Sequence, residues 1–305
     1  MSLVELALKK MQSAAQGEPR KSDSRPAREP AAARNVVVGE VVHRTSHRPI
    51  AEGEGAPSSD KLIRIEPSAL RLAGLAPPEH QQRELADQYR HIKRPLVGAA
   101  IGRGAVKLER GQLIMMASAM PGEGKTFTSI NLALSMAMEK DISVLLVDAD
   151  VAKPHISRTF GVDREPGLLD VLHDANANVE SLILPTDVPN LSILPAGKRS
   201  ETATELLASH RMEETVNYLA DSNPSRIVLI DSPPLLLTSE SRALAHWVGQ
   251  IVLVVRASFT PHRAVLDAIG QLGADKSISL ILNQSKFTTT GYYYGYGDSA
   301  AAPSA

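Results

Sequence analysis

The sequence predicts an α/β fold, a mostly parallel sheet with helices on both faces, and two observations carry that expectation. Six short apolar runs, at residues 113–117, 144–147, 191–194, 227–230, 251–255 and 278–282, alternate with helical or loop segments. Runs apolar at nearly every position suit strands buried on both faces, and right-handed crossovers put helices on each side of such a sheet. The first run also passes directly into Ala119-Met120-Pro121-Gly122-Glu123-Gly124-Lys125-Thr126, a glycine-containing loop that leads into a helix.

Within 305 residues the N-terminal part does not share this pattern. Residues 9–60 are rich in Pro, Arg, Glu, Ser and Ala and lack aromatics, so they bury too little apolar surface to offset ordering entropy. Residues 1–60 are therefore expected to be a disordered arm. Ser2 followed by Glu5 forms a capping-box pattern, and Leu3, Leu6, Ala7 and Met11 mark a short helix that either docks on a partner or frays. Residues 61–110 form a pre-domain segment that regains apolar character over 62–78. A charged helix follows over 81–94 and is expected to end before Pro95. The main domain spans 111–287. Its loop feeds a helix with Phe127, Ile130, Leu134 and Met138 at helical spacing. A later helix is marked by Thr260 as N-cap, Pro261 at the first helical position, and Val265, Ile269 and Leu272 behind them. Residues 288–305 are a flexible, Tyr-rich C-terminal tail. No internal repeat is visible.

Composition excludes several functions. The formal charge is −1 with both signs interspersed, which gives no electrostatic case for nucleic acid. The chain has no cysteine, so disulfides and thiolate metal sites are ruled out, and a reducing cytoplasm fits. No apolar stretch approaches the roughly 18 to 20 residues needed to cross a bilayer, so direct membrane insertion is not expected.

The loop at 119–126 has the chemistry of a phosphate cradle. Gly122 and Gly124 let backbone N–H groups close on anionic oxygens. Lys125 reaches the β- and γ-phosphates, and the Thr126 hydroxyl suits Mg²⁺. Strand, loop, Lys-Thr and helix in this order make the expected fold P-loop NTPase-like. Ala119 stands where the usual pattern has its first glycine. A Mg-nucleotide site needs carboxylates at the carboxyl ends of strands. Two runs end so: 144–147 in Asp148-Ala149-Asp150, and 227–230 in Asp231-Ser232-Pro233-Pro234. Asp231 has the Walker B form. Asp148 and Asp150 can both face metal and γ-phosphate, and one of them can orient or deprotonate an attacking hydroxyl. Of the chain's six tyrosines, Tyr292, Tyr293, Tyr294 and Tyr296 crowd one Gly-rich stretch with no periodic apolar face. That stretch reads either as a sticky low-complexity tail or as phenols offered to an enzyme.

With cradle, paired aspartates, Asp-Ser-Pro-Pro and terminal tyrosines in one order, residues 82–297 resemble the bacterial tyrosine kinases, P-loop autokinases of exopolysaccharide synthesis. The likeness is nearest to the subgroup associated with exosortase A loci. The resemblance implies ATP and Mg²⁺ as cofactors, with Pro121, Gly122, Glu123, Gly124, Lys125, Thr126, Phe127 and Asn283 around the nucleotide. Thr126, Asp148 and Asp231 are implied at the metal, Lys125, Asp148 and Asp150 in catalysis, and the four tail tyrosines as acceptors. Asn283 reads equally as a strand-end cap. Ala152 and Lys153 replace the arginines usual before Pro154. The family's Glu-x-x-Arg-x-x-Arg ring motif reads Asp87-x-x-Arg90-x-x-Lys93, so a ring-like homo-oligomer is implied, a solvated charged helix being the plainer reading. The resemblance further implies cytoplasmic location, peripheral to the inner membrane through a membrane-embedded polysaccharide chain-length regulator that activates the kinase. The competing readings are a partitioning or septum-positioning switch ATPase, whose signature lysine would occupy the place of Met120, and an ATP-binding regulatory scaffold.

Overall fold

The computed structural model describes residues 41–43, 61–102, 107–273 and 276–285. The chain enters through β1 (Val41–His43) and β2 (Lys61–Ile63), an antiparallel pair. Part of the stretch expected to stay without structure is thus a strand. Then come α1 (Pro67–Leu72), a 3-10 turn, and α2 (Gln82–Ile101). The main domain runs β3 (Leu113–Ser118), α3 (Lys125–Ala137), β4 (Ser143–Asp148), α4 (His155–Thr159), α5 (Leu168–His173), β5 (Leu184–Pro185) and β6 (Leu191–Leu194). It continues through α6 (Ala203–Leu207), α7 (His210–Asp221), β7 (Arg226–Asp231), α8 (Glu240–Trp247), β8 (Gln250–Arg256), α9 (His262–Gly270) and β9 (Ser277–Asn283).

Seven strands form one sheet in the order β5-β6-β4-β7-β3-β8-β9, parallel except for the short antiparallel β5. Alternate residues of β3 serve two cores. Leu113, Met115 and Ala117 pack with α5 to α9, while Ile114 and Met116 pack with α1 to α4. Helices therefore cover both faces, as the unbroken apolar runs demand. β9 departs from that rule: it is the edge strand and stays half-exposed along its length. No helix among the described residues is long and apolar enough to cross a membrane.

Four local expectations are corrected. α2 runs through Pro95 to Ile101 and ends on Gly102 in the left-handed region. Leu96 and Ala100 are buried beyond the proline, and Gln250 donates a 3.1 Å hydrogen bond to the Leu96 carbonyl, so tertiary contacts carry the helix past its missing N–H. In α3 the buried face is Ser129, Ile130, Leu132, Ala133 and Met136, because that side meets the sheet. Met138, expected on that face, is 82% exposed. α9 begins at His262 behind Pro261, and Thr260 does not cap it. Lastly, the buried Lys93 side chain points into the domain. It donates to the Ser135 carbonyl at 2.8 Å and pairs with Glu139 at 2.6 Å, anchoring α2 to the last turn of α3.

Candidate functional site

β3 delivers the chain to the middle of the sheet, and the loop after it turns into α3. Gly122 and Gly124 have φ of 78° and 94°, in the left-handed region where only glycine is unstrained. A Cβ on Gly124 would come within 1.9 Å of Asn283 Nδ2, so a side chain there would have to push the Asn283 amide off the Glu123 carbonyl. The loop holds itself in shape. Ser118 donates to the Met120 carbonyl at 3.0 Å, and Met120 N–H donates to Glu123 Oε2 at 2.7 Å. Glu123 is 1% exposed, its carboxylate turned back into the loop and away from the cleft mouth. Its backbone, not its side chain, is therefore what can meet phosphate. Pro121 and Gly122 lie exposed, and Phe127 lines the cleft.

Asp148 and Asp231 are register partners at the carboxyl ends of β4 and β7. Asp231 is fully buried. Its Oδ1 accepts from Lys125 Nζ at 2.9 Å and from Ser129 Oγ at 2.8 Å, and its Oδ2 accepts from Thr126 Oγ1 at 2.8 Å. Asp148 Oδ2 accepts from Ser157 N–H and Oγ at 2.8 and 2.7 Å, while its buried Oδ1 has no hydrogen-bond partner. Burial, reinforced by repulsion from Asp231 and Asp150, pushes the Asp148 carboxyl up to about 7 against the bonds from Ser157. Asp150 is also raised, first by burial, with attraction to Lys125 opposing. Its Oδ1 accepts from Lys153 N–H at 3.1 Å. Of the three carboxylates only Asp150 lines the cleft, which it shares with Lys125, Thr126, Lys153 and Asn283.

These groups fit a magnesium nucleotide. Thr126, Asp148, Asp150 and Asp231 offer hard oxygen donors, and the unpartnered buried Oδ1 of Asp148 is a lone pair the protein itself leaves unused. Lys125 and the N-terminus of the 13-residue α3 offer positive potential to phosphate. Among the described residues no group of three His, Cys, Asp or Glu forms a protein-only metal cage.

Asn283 ends β9 with both ends of its amide engaged. Nδ2 donates to the Glu123 carbonyl at 2.8 Å, and Oδ1 accepts from Gln284 N–H at 2.9 Å. It lines the cleft but also props the loop. Ala152 and Lys153 are exposed at the lip, and Arg199, a residue not singled out in the sequence, donates to the Ala152 carbonyl at 2.9 Å. Sequence reasoning also missed Ser129 and Ser157. Ser129 had a readable signal, standing four residues after Lys125 on the same helical face; Ser157 had none. On α2, Asp87 and Arg90 pair at 2.6 Å with both side chains 59% exposed, whereas Lys93 is withdrawn into the fold. Tyr292, Tyr293, Tyr294 and Tyr296 lie outside the described residues, as does the short helix expected at the N-terminus.

A family model for an AAA domain matches residues 111–262. The chain is 31% identical to tyrosine-protein kinase CpsD of Streptococcus agalactiae over 197 residues, 62% of this chain and 83% of CpsD. It is 31% identical to tyrosine-protein kinase Ptk of Acinetobacter johnsonii over 191 residues, 62% of this chain. The chain spans only about a quarter of the length of Ptk and of two Ralstonia relatives. The solved kinase domain of the Escherichia coli tyrosine kinase ETK superposes with a TM-score of 0.56 at 24% identity, covering 69% of this chain and 80% of that one, a likeness of fold. With a cradle, strand-end carboxylates and a buried lysine pair in this arrangement, and with most of CpsD matched, the chain belongs to the bacterial tyrosine-protein kinase family.

Proposed function

We propose that the chain is an ATP- and Mg²⁺-dependent autokinase that transfers the γ-phosphoryl group to its own Tyr292, Tyr293, Tyr294 and Tyr296. The observation that carries this reading is the meeting of Lys125, Thr126 and Asp150 in one cleft above the buried Asp231. In the transfer the phenol oxygen bonds to the γ-phosphorus, the bond to the β,γ-bridging oxygen breaks, and ADP leaves with that electron pair. The phenolic proton passes to a carboxylate. Asp150 is the acceptor best supported by position, because it faces the cleft and burial raises its proton affinity. Lys125 balances charge on the transferring group. Mg²⁺, when bound, supplies further neutralisation, and Thr126, Asp148 and Asp231 are the residues that would hold its shell.

Transfer is proposed to occur in trans between copies assembled through the exposed Asp87 and Arg90 face of α2. A cytoplasmic chain docked to a membrane-embedded chain-length regulator, controlling exopolysaccharide synthesis and export, follows from the resemblance. The exosortase-associated subgroup rests on the tail sequence. Protein incubated with Mg-ATP should gain phosphotyrosine in its C-terminal peptide by mass spectrometry, and Lys125→Met should abolish it. Replacing the four tail tyrosines by Phe should preserve nucleotide binding and remove the label. Equal labelling of Lys125→Met overturns the site assignment, and wild-type labelling of the Phe variant overturns the tail as acceptor.

A further inference from the structure

Thr260 carries the sequence signature of a helix cap, yet its side chain serves another element. Its Oγ1 accepts from Arg256 N–H at 3.1 Å, and its own N–H donates to the Arg256 carbonyl at 3.0 Å, so the residue is locked to the last position of β8. Its hydroxyl proton goes to Glu123 Oε1. The other oxygen of that carboxylate takes Met120 N–H at 2.7 Å, and Asn283 Nδ2 holds the Glu123 backbone carbonyl at 2.8 Å. Glu123 and Thr260 are both buried.

A buried carboxylate needs donors for its oxygens, and a donor anchored to a strand fixes it in place. Met120 and Glu123 flank Pro121 and Gly122, so the Glu123 carboxylate closes the tip of the cradle like a clasp. β8 pairs with β3 from Ile114 to Ser118, the strand that launches the loop. The clasp is therefore referenced to the same rigid sheet as the base of the loop. Removing the Thr260 hydroxyl leaves Glu123 Oε1 without that donor and frees the carboxylate to leave Met120.

We propose that Thr260 is a positioning residue of the phosphate loop, acting through Glu123 to hold the backbone N–H groups of residues 122–124 in the geometry that receives nucleotide phosphates. The inference rests on the nucleotide-site reading above and adds to it a support from the corner between β8 and α9. It assigns Thr260 no contact with the reacting atoms.

The test measures Mg-ADP binding by calorimetry and autophosphorylation kinetics for wild type, Thr260→Val and Thr260→Ser. Thr260→Val, close in shape but without the hydroxyl, should weaken Mg-ADP binding and raise the KM for ATP by about tenfold, with kcat within about twofold. Thr260→Ser, which keeps the hydroxyl, should return both to within about twofold of wild type. A purely structural role for Thr260 would lower the melting temperature of Thr260→Val without moving Kd or KM, and that result overturns the proposal. So does a Thr260→Ser variant as impaired as Thr260→Val. Should Thr260→Val fail to fold, Thr260→Ala is judged by the same criteria. If it fails too, Thr260→Ser with wild-type stability must bind Mg-ADP like wild type, and weaker binding overturns the inference. Wild-type protein that binds no Mg-ADP would instead sink the nucleotide-site reading itself.

Discussion

Lys125 Nζ lies 2.9 Å from Asp231 Oδ1, and both side chains are buried although Lys125 still lines the cleft. The residue expected to grip phosphate and the acid expected beside the metal are thus an ion pair in the core. Breaking one side of a buried pair strands the other charge. Lys125→Met should therefore do more than abolish phosphotransfer. With Ser129 and Thr126 still donating to Asp231, the expected loss is roughly 2–4 kcal/mol in urea unfolding without nucleotide. Unchanged stability would mean that the pair contributes nothing to the fold.

Asp148 predicts a pH dependence. Its carboxyl is raised from 3.8 to about 7 by burial, with Asp231 and Asp150 adding repulsion. A carboxyl raised in the folded state keeps a proton that the unfolded chain releases. Its contribution to stability is full below about pH 3.8 and is lost as pH climbs towards 7. Asp148→Asn removes the charge and keeps an acceptor for Ser157. Its melting temperature, measured in chelator without nucleotide, should match wild type near about pH 4 and exceed it by roughly 10 °C at about pH 8. An equal gain at both pH values would locate the effect outside this titration.

Lys93 and its neighbours on α2 give a prediction that separates stability from the proposed assembly. Lys93 is buried against the end of α3, where the helix dipole and Glu139 both favour a cation. Lys93→Met should cost about 1–3 kcal/mol in denaturant melts by leaving the Ser135 carbonyl without that donor. Asp87→Ala and Arg90→Ala break an exposed pair and should stay within about 0.5 kcal/mol of wild type. If the ring reading holds, they should still shift the oligomer in sedimentation velocity. A Lys93→Met variant as stable as wild type would remove its role as an anchor.

Much of this site was legible because its signals are local. Strands buried on both faces leave unbroken apolar runs, and a carboxylate at such a run's end marks the sheet edge where ligands bind. Asp148 and Asp231 could therefore be placed at the same end of the sheet before the pairing of their strands was known. What stayed hidden depends on distant chain. Ser157 meets Asp148 only because α4 folds back beneath it, and Lys93 could be read as a surface charge until α3 was packed against α2. The stripe through Met138 misled for a related reason. The side of α3 facing the sheet is lined partly by Ser129 and Ala133, whose small side chains leave little hydrophobic signal. β9 read like its neighbours because an edge strand with one partner can still be apolar in composition.

Gly124 and Asn283 give a prediction that separates space from backbone strain. At φ 94° any L side chain on residue 124 is strained, and its Cβ would also stand 1.9 Å from Asn283 Nδ2. Gly124→Ala should lose nucleotide binding and destabilise the fold through both effects. Asn283→Ala alone forfeits the bond to the Glu123 carbonyl, at a cost of about 1 kcal/mol. In the double variant the collision is gone and the backbone strain remains, so the combined loss should fall below the sum of the single losses, with a residue of about 1–2 kcal/mol from the left-handed conformation. A double-mutant cycle in urea supplies the coupling. Strict additivity would show that Asn283 swings away freely, and the glycine would then be required for its backbone conformation alone.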